Sequence, residues 1–241
     1  MKVKDMENPL EGLPTIGADI LARNLQRVTA QLEENRYGDN PPARLIAVTK
    51  TVSVETIRSL HTLGVREIAE NRSQVLTAKL PMLPQDVKIH FIGRLQTNKV
   101  KAVLPHIALL HSMDRMDLAR EVHRQALLLG SPTPVLVQVN VSGESQKAGM
   151  PPEEVLPFLR EVRSMEGLKI RGLMSIMPLG APQEQLTGWF RQMRSLFEQI
   201  RDLALEGVEM TELSMGMTQD YALAAREGAT MVRVGTGLYR D

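Results

Sequence analysis

The apolar positions of this chain follow two alternating patterns along most of its length. Short continuous apolar runs, typical of strands buried on both faces, are separated by longer stretches in which apolar residues recur every three or four positions, as on one face of a helix. The predicted strands cover residues 45–49, 67–69, 87–92, 107–112, 134–140, 168–174, 210–214 and 229–234. The predicted helices cover residues 16–36, 53–63, 72–80, 97–104, 114–129, 153–163, 184–205 and 219–227.

Eight strands, each joined to the next by a helix, predict a parallel (β/α)8 barrel, and a chain of 241 residues is close to the roughly 250 residues typical of that fold. An open doubly wound sheet is the alternative. Only seven of the helices lie between strands, so we expect the helix over 16–36 to close the barrel after strand eight, where no helical sequence remains. We expect residues 1–14 to be loose and residues 15–241 to form one barrel domain, without a C-terminal β domain.

Composition and charge exclude several classes of function. The 29 basic and 28 acidic residues give a formal net charge of +1, so no overall field attracts nucleic acid or an anionic membrane. The absence of cysteine excludes disulfides, thiolate chemistry and cysteine-ligated zinc, and no His/Asp/Glu cluster has metal-ligand spacing. Because the sequence has neither a signal-peptide pattern nor an apolar run of membrane-spanning length, we expect a cytoplasmic protein, and we expect a monomer.

Lys50 is the first candidate for chemistry. It directly follows the apolar run over 45–49, at the end of a barrel strand where (β/α)8 proteins place their active sites. A partly desolvated amine in that position has a lowered pKa and reacts more readily with a carbonyl group. The simpler alternative is an exposed lysine just past a strand.

Two segments contain the residue types of a phosphate site. Residues 214–218, after strand seven, offer two hydroxyls and a flexible glycine directly before a helix N-terminus, which favours an anion. Residues 233–237, after strand eight, offer a guanidinium, two glycines and a hydroxyl. Barrels commonly bind phosphate after strands seven and eight. Together with Lys50, these segments predict a ligand with a phosphate and a carbonyl, either a sugar phosphate or pyridoxal 5'-phosphate.

The same segments carry a resemblance that runs in order from about residue 15 to the end of the chain. The matching blocks are Ala47-Val48-Thr49-Lys50, Ala69-Glu70-Asn71, His90-Phe91-Ile92-Gly93-Arg94-Leu95-Gln96-Thr97-Asn98-Lys99, Arg171-Gly172-Leu173-Met174, Leu213-Ser214-Met215-Gly216-Met217-Thr218-Gln219-Asp220 and Arg233-Val234-Gly235-Thr236-Gly237-Leu238-Tyr239. They resemble the YggS/PROSC family of pyridoxal-phosphate-binding proteins. The chain departs from the usual family pattern at Ile68-Ala69, where Phe-Gly is usual, and at Tyr239, where Phe is usual.

The resemblance implies a fold-type III barrel in which Lys50 holds pyridoxal phosphate as an internal aldimine. It also implies that residues after strands seven and eight hold the phosphate and that Asn71 lies near the ring. The predicted cofactor-binding residues are Lys50, Asn71, Ser214, Met215, Gly216, Arg233, Gly235 and Thr236.

The resemblance implies a function in pyridoxal phosphate homeostasis, by storage, delivery or buffering of the cofactor, with apo-enzymes as possible recipients and an effect on amino-acid and keto-acid balance. Catalysis on a bound amino acid needs a placed acid or base as well. The chain ends seven residues after Val234, and the sequence marks no such residue, so we expect no robust enzymatic activity. The alternatives are a minimal racemase or lyase that uses Lys50 as its base, and a Schiff-base aldolase without a cofactor.

Overall fold

Eight strands form a closed barrel in the computed structural model of the chain, which describes residues 8–144 and 146–240. The strands are β1 (Arg44–Val48), β2 (Glu67–Glu70), β3 (Lys88–Phe91), β4 (Leu109–Met113), β5 (Thr133–Val139), β6 (Leu168–Ser175), β7 (Val208–Met217) and β8 (Met231–Val234). Each pairs in parallel with the next, and β1 pairs with β8 so that Ala47 lies opposite Val234. The predicted (β/α)8 barrel is confirmed, and the doubly wound sheet is wrong.

Helices cover the outside of the barrel and connect its strands. They are α1 (Ala18–Glu34), α2 (Val54–Thr62), α3 (Ser73–Lys79), α4 (Val100–Val103), α5 (Met116–Leu129), α6 (Pro152–Val162), α7 (Gln183–Asp202), α8 (Tyr221–Arg226) and α9 (Thr236–Tyr239). Capping residues explain where two of these helices begin or end. The Ser53 hydroxyl accepts a hydrogen bond from the Thr56 N–H at 3.3 Å and caps α2, and Gly130, with φ 69°, ends α5 in the left-handed region.

Two helical predictions need correction. The helix predicted over 97–104 is only the four-residue α4, with a 3-10 turn on each side, and Pro105 in the second turn has no N–H with which to continue an α-helix. The expectation that no helix follows strand eight is also wrong, because α9 lies there. One turn of helix is too short to produce an apolar period that a sequence pattern could reveal.

The first helix lies beside the C-terminal segment that follows β8, as predicted. Leu21, Val28 and Leu32 form its buried face. The Asn24 side-chain amide is also buried and donates hydrogen bonds to the carbonyls of Leu238, at 3.2 Å, and Arg240, at 2.7 Å. Helix α1 therefore closes the ring of helices, and α9 is held between it and the barrel.

Strand β7 is longer than predicted and runs three residues beyond residue 214, to Met217. The pairing between β7 and β8 shifts register between Ser214 and Met217, and Gly216 within this stretch has φ 90°. This irregularity lets the strand continue toward the C-terminal end of the barrel. Ser214 is therefore not the last residue of the strand, as predicted, and its buried side chain lies inside the barrel.

Apolar side chains pack in two layers, one inside the barrel and one between the strands and the helices. The inner cluster consists of Ile46, Val48, Ala69, Leu109, Leu136, Met174 and Met231, all of them buried. These seven residues do not fill the interior. The remaining space holds buried polar side chains, which lie beneath the C-terminal end where the site is found.

Residues 1–7 of the segment predicted to be loose lie outside the described residues. Residues 8–14 contain neither helix nor strand, and the Pro14 carbonyl accepts a hydrogen bond from the Ser53 N–H at 3.0 Å. Within residues 8–144 and 146–240, no helix has the length and apolar character needed to cross a lipid bilayer.

Candidate functional site

A cavity of about 320 Å³ opens at the C-terminal ends of the barrel strands. Its volume lies in the lower part of the range of small-molecule sites, roughly 300–1,000 Å³. The lining residues are Val48, Lys50, Ile92, Met177, Pro178, Leu179, Gly180, Ala181, Leu186, Met217, Thr218, Gln219, Asp220, Arg233, Gly235 and Thr236. The cavity therefore has apolar walls with a few polar groups, the composition of a binding site for a small organic molecule.

Lys50 lies in a turn two residues beyond the end of β1, and its side chain lines the cavity. The structure leaves it exposed, so the expected partial burial of the amine is not observed. The position past the strand end explains this difference, because the side chain extends into the open cavity rather than into the packed interior. An exposed primary amine in a cavity is free to react with a ligand there.

The backbone that carries Lys50 is fixed by a buried cluster of Thr49, Glu70 and Lys79, which we name the clamp. Lys79 Nζ donates hydrogen bonds to the Thr49 carbonyl at 2.8 Å and to Glu70 Oε1 at 2.9 Å. The Thr49 hydroxyl donates to the same Glu70 oxygen at 2.7 Å. All three residues have 0% exposure. From the other side, the Tyr239 hydroxyl donates to the Val48 carbonyl at 2.9 Å.

The clamp is absent from the predicted site residues, although the sequence contains a signal for it. Lys79 lies four residues after Val75 and three after Leu76, on the buried side of α3. A lysine at that spacing is on the apolar face of the helix, where it needs a buried acidic partner. Among the described residues, Glu70, at the end of β2, is the only carboxylate that is hydrogen-bonded to Lys79.

The segment after β8 converges on a single oxygen atom. The backbone N–H groups of Gly235 and Gly237 donate to Thr218 Oγ1 at 3.3 and 3.1 Å. Because this hydroxyl accepts two hydrogen bonds, its own proton is available for an acceptor in the cavity. Gly235 also packs closely on β1, since a Cβ atom there would lie 3.3 Å from Val48 Cβ. The two predicted phosphate segments therefore meet at Thr218, which the predicted set of cofactor-binding residues omitted.

Four of the predicted cofactor-binding residues do not line the cavity: Asn71, which is described below, and three residues of β7. Ser214 has 0% exposure and lies deeper in the barrel. The side chain of Met215 belongs to the outer apolar layer, between the strands and the helices. At Gly216 a Cβ atom would lie 2.5 Å from Ala224 Cβ, so this glycine lets β7 approach α8. The structure therefore gives Met215 and Gly216 packing positions.

Arg233 forms part of the floor of the cavity and is only 2% exposed. Its Nη1 donates to the Ser214 hydroxyl at 2.5 Å and its Nη2 to the Ser175 carbonyl at 2.7 Å. Burial lowers the pKa of Arg233 to about 10, and Asp220 acts in the opposite direction. The guanidinium remains charged at neutral pH, so it contributes a fixed positive charge beneath the cavity.

Asp220 is the acidic residue among those that line the cavity. Its Oδ1 accepts a hydrogen bond from the Met217 N–H at 2.5 Å. Burial raises the pKa of Asp220 above its ordinary value, whereas the Met217 N–H and the charge of Arg233 act to lower it. It stands at the N-cap position of α8.

Asn71 lines a neighbouring cleft of about 710 Å³ rather than the cavity itself. Its Oδ1 is buried and has no hydrogen-bond partner within the described part of the chain. The backbone of Gly93 lies against it so closely that a Cβ atom would fall 2.0 Å from the Asn71 carbonyl oxygen. The lining of this cleft also includes the cationic side chains of Arg72, Arg94, Lys99 and Arg115.

Comparison with known proteins identifies relatives of the whole barrel. The family model "Alanine racemase, N-terminal domain" matches residues 16–241. A protein of Aquifex aeolicus named pyridoxal phosphate homeostasis protein is 38% identical over 222 residues, which cover 92% of this chain and 96% of that protein. These matches extend over nearly the complete length of both chains.

Solved structures also match nearly the complete length of this chain. PipY of Synechococcus elongatus, in a structure with pyridoxal phosphate bound, has a TM-score of 0.80 and 34% identity, covering 91% of this chain and all of that one (100%). An alanine racemase of Clostridium difficile has a TM-score of 0.76 at 17% identity, covering 94% of this chain and 58% of that one, which shows a shared fold alone. On these matches and on its barrel, the chain belongs to the family of the pyridoxal phosphate homeostasis proteins, built on the alanine racemase N-terminal domain.

Proposed function

We propose that this chain binds pyridoxal 5'-phosphate in the C-terminal cavity through Lys50 and acts in pyridoxal phosphate homeostasis. One observation carries the proposal: the cavity holds an exposed primary amine, and its wall includes a hydroxyl on which two backbone N–H groups converge. The names of the relatives and the cofactor in the PipY structure support the same conclusion.

The residues of the cavity fit this cofactor. Pyridoxal phosphate supplies an aldehyde that condenses reversibly with a primary amine, with loss of one water. Lys50 provides the amine. The phosphate would be held by the Thr218 hydroxyl and the Thr236 N–H, while Gly235 directs its own N–H to Thr218 Oγ1 and so leaves the hydroxyl proton free to donate. The apolar lining suits an aromatic ring.

Arg233 and Ser214 support this site from below. Two guanidinium nitrogens of Arg233 are already bonded to Ser214 and Ser175, so we assign Arg233 to the floor, where its charge favours an anionic ligand. Ser214 acts through Arg233 and has no direct contact with the cavity. This assignment refines the phosphate role that the sequence resemblance implied for both residues.

The cavity is better suited to holding the cofactor than to turning over an amino acid. Of the described residues that line it, the ionisable ones are Lys50, Asp220 and Arg233. Asp220 accepts the Met217 N–H, and Arg233 is bonded to Ser214 and Ser175. Because turnover needs a second placed acid or base, we propose storage, delivery or buffering in the cytoplasm by a monomer, with apo-enzymes as recipients.

The absorption spectrum of the reconstituted protein tests cofactor binding through Lys50. We expect a visible band after addition of pyridoxal phosphate and removal of the excess, and we expect Lys50→Ala to abolish it. Lys147→Ala is a matched control, since Lys147 pairs with Glu144 at 3.3 Å and does not line the cavity. A colourless protein that cannot be reconstituted, or a band that persists in Lys50→Ala, contradicts the proposal.

Two rates separate homeostasis from catalysis. The first is transfer of the cofactor from the loaded protein to an apo-enzyme, compared with spontaneous release. Transfer faster than release supports delivery, and transfer at the rate of release leaves storage or buffering. The second is racemisation or decarboxylation of amino acids by the loaded protein. Turnover at ordinary enzymatic rates that is lost in Lys50→Ala would favour the minimal racemase or lyase instead.

A further inference from the structure

Four buried polar side chains form a continuous hydrogen-bonded row through the barrel, which we name the axial row: Arg233, Ser214, His111 and His90. Arg233 Nη1 lies 2.5 Å from Ser214 Oγ, Ser214 Oγ lies 3.0 Å from His111 Nδ1, and His111 Nε2 lies 2.9 Å from His90 Nδ1. Each residue is at most 3% exposed. The row begins under the cavity and leads away from it along the barrel interior.

The chemistry of these groups favours one direction for the hydrogen bonds. Arginine has donors and no acceptor, so Ser214 Oγ must accept from Arg233, and among the described residues His111 Nδ1 is the acceptor placed within reach of the Ser214 proton. His111 Nδ1 is then the acceptor. A neutral imidazole with an acceptor at Nδ1 carries its proton on Nε2, so His111 donates to His90 Nδ1. His90 in turn carries its proton on Nε2.

Both histidines are neutral at physiological pH. Burial lowers the pKa of His90 to about 3, and the positive charges of Arg44 and Lys88 act in the same direction. Burial also lowers the pKa of His111 well below its ordinary value, with further contributions from His90 and Arg233. Neither ring therefore gains a second proton near neutral pH, which would remove the acceptor on His111 Nδ1.

The row ends at the N-terminal mouth of the barrel. His90 Nε2 is buried and has no hydrogen-bond partner among the described residues, and it lies 3.9 Å from Glu67 Oε1. Glu67 and Glu212 both pair with Arg44, at 3.1 and 2.7 Å. This charged mouth is the opposite end of the barrel from the cavity, so the row connects the two ends.

We propose that Ser214, His111 and His90 are positioning residues that hold the Arg233 guanidinium in one orientation at the cavity floor. A guanidinium has five donors and can turn toward several acceptors. The fixed acceptor on Ser214, together with the Ser175 carbonyl, selects one orientation. Loss of this row frees the guanidinium, which weakens binding of an anionic ligand above it. The expected effect on pyridoxal phosphate binding rests on the function proposed above. The axial row and its effect on the Arg233 orientation do not depend on that function.

The tautomers of the two histidines test the row without any cofactor. In protein labelled with 15N-histidine, NMR at pH 7.0 and 5.5 distinguishes a protonated from an unprotonated ring nitrogen. We expect His90 and His111 to be neutral and protonated on Nε2 at both pH values, with His106→Leu and His123→Leu helping to assign the signals. A proton on Nδ1 of either ring, or two protons on either, would overturn the proposal.

Substitution of His111 tests the consequence for Arg233. His111→Leu removes the acceptor for Ser214, and we expect the Arg233 guanidinium signals to lose their protection from exchange and the affinity for pyridoxal phosphate to fall roughly tenfold. His111→Asn keeps a side-chain oxygen near the Nδ1 position as an acceptor for Ser214. It should restore most of the exchange protection of Arg233 and most of the affinity for pyridoxal phosphate. A folded His111→Leu protein with unchanged guanidinium signals contradicts the proposal.

The two experiments distinguish the possible failures. If the protein binds no pyridoxal phosphate at all, the function proposed above is wrong, while the tautomers and the guanidinium signals still decide the axial row. If His111→Leu does not fold, the tautomers in the unaltered protein and the behaviour of His111→Asn decide it.

Discussion

Lys50 and Lys79 belong to the same small region of the barrel but have opposite surroundings. Lys79 has 0% exposure, and its amine donates to Glu70 and to the Thr49 carbonyl. Lys50, the next residue after Thr49, is exposed and lines the cavity. The comparison shows how one lysine fixes a backbone by giving its donors to protein acceptors, while the other keeps its amine available for a ligand.

The two lysines also depend on each other. The clamp holds the carbonyl and the hydroxyl of Thr49, and this restricts the position from which the Lys50 side chain extends. A reactive amine on a fixed backbone needs less ordering when a ligand binds. We therefore expect damage to the clamp to affect stability first and cofactor binding second, and damage to Lys50 to affect binding alone.

The largest expected effect comes from Lys79→Met. Removal of one partner of a buried ion pair leaves the Glu70 carboxylate uncompensated, and the free energy of unfolding should fall by about 3–5 kcal/mol. Urea unfolding followed by circular dichroism measures this change. Lys50→Met is the matched control and should unfold as the unaltered protein does, because its side chain is exposed.

The double variant Glu70→Gln/Lys79→Met separates charge from shape in the clamp. Both ionised groups are then absent, so part of the loss in Lys79→Met should be regained. A Lys79→Met protein as stable as the unaltered one would mean that the clamp does not fix this region, and the contrast between the two lysines would lose its basis.

A smaller effect is expected where β7 packs against α8. Gly216→Ala introduces a Cβ atom 2.5 Å from Ala224 Cβ at a residue with φ 90°, and the free energy of unfolding should fall by about 1–3 kcal/mol. Gly188→Ala is the control, because Gly188 lies within α7 with nothing near its Cβ position. It should stabilise the protein by about 0.5–1 kcal/mol. Equal effects of the two substitutions would contradict the packing role of Gly216.

The buried histidines predict a dependence of stability on pH. The folded-state pKa of His90, about 3, lies below the ordinary value of 6.5, so below that value the unfolded state binds the proton and the folded state does not. The free energy of unfolding should therefore fall as pH decreases from 6.5 toward 3, by about 1.4 kcal/mol per pH unit for each such histidine. Urea unfolding at pH 6.5, 5.5 and 4.5 measures the slope. In His90→Gln the decrease in the free energy of unfolding per pH unit should be smaller by the contribution of one histidine. An unchanged pH dependence would contradict a lowered pKa for His90.

The smallest of these effects concerns the phosphate side of the cavity. Thr218→Val removes the hydroxyl on which the N–H groups of Gly235 and Gly237 converge, and the affinity for pyridoxal phosphate should fall by about 1 kcal/mol. Fluorescence titration with the cofactor measures the change. Thr77→Val, at an exposed position on α3, should bind normally. Normal binding by Thr218→Val would place the phosphate elsewhere in the cavity.

The sequence was sufficient to predict the barrel and to bring four of the predicted site residues to one cavity. The eight strands differ from the predicted ones mainly at their ends, and Lys50, Arg233, Gly235 and Thr236 all line one cavity. This success has a physical reason. Strands buried on both faces produce continuous apolar runs, and closure of the barrel brings the loops that follow the strands together at one end.

The buried polar groups could not be predicted in the same way. His111 and Ser214 are 103 residues apart and His90 and His111 are 21 apart, yet both pairs are hydrogen-bonded. Such contacts depend on strand register and on side-chain direction inside the barrel, which periodicity does not specify. The extension of β7 to Met217 is an example, because it places Ser214 three residues before the end of the strand rather than at its last position.

The most direct test of the contrast between the two lysines is the site of covalent attachment. The protein loaded with pyridoxal phosphate is reduced with borohydride, which makes the link to an amine permanent, and its peptides are then mapped by mass spectrometry. We expect the cofactor mass on the peptide that contains Lys50 and on no other. Attachment at Lys79 or Lys147, or the absence of any adduct, would contradict the account.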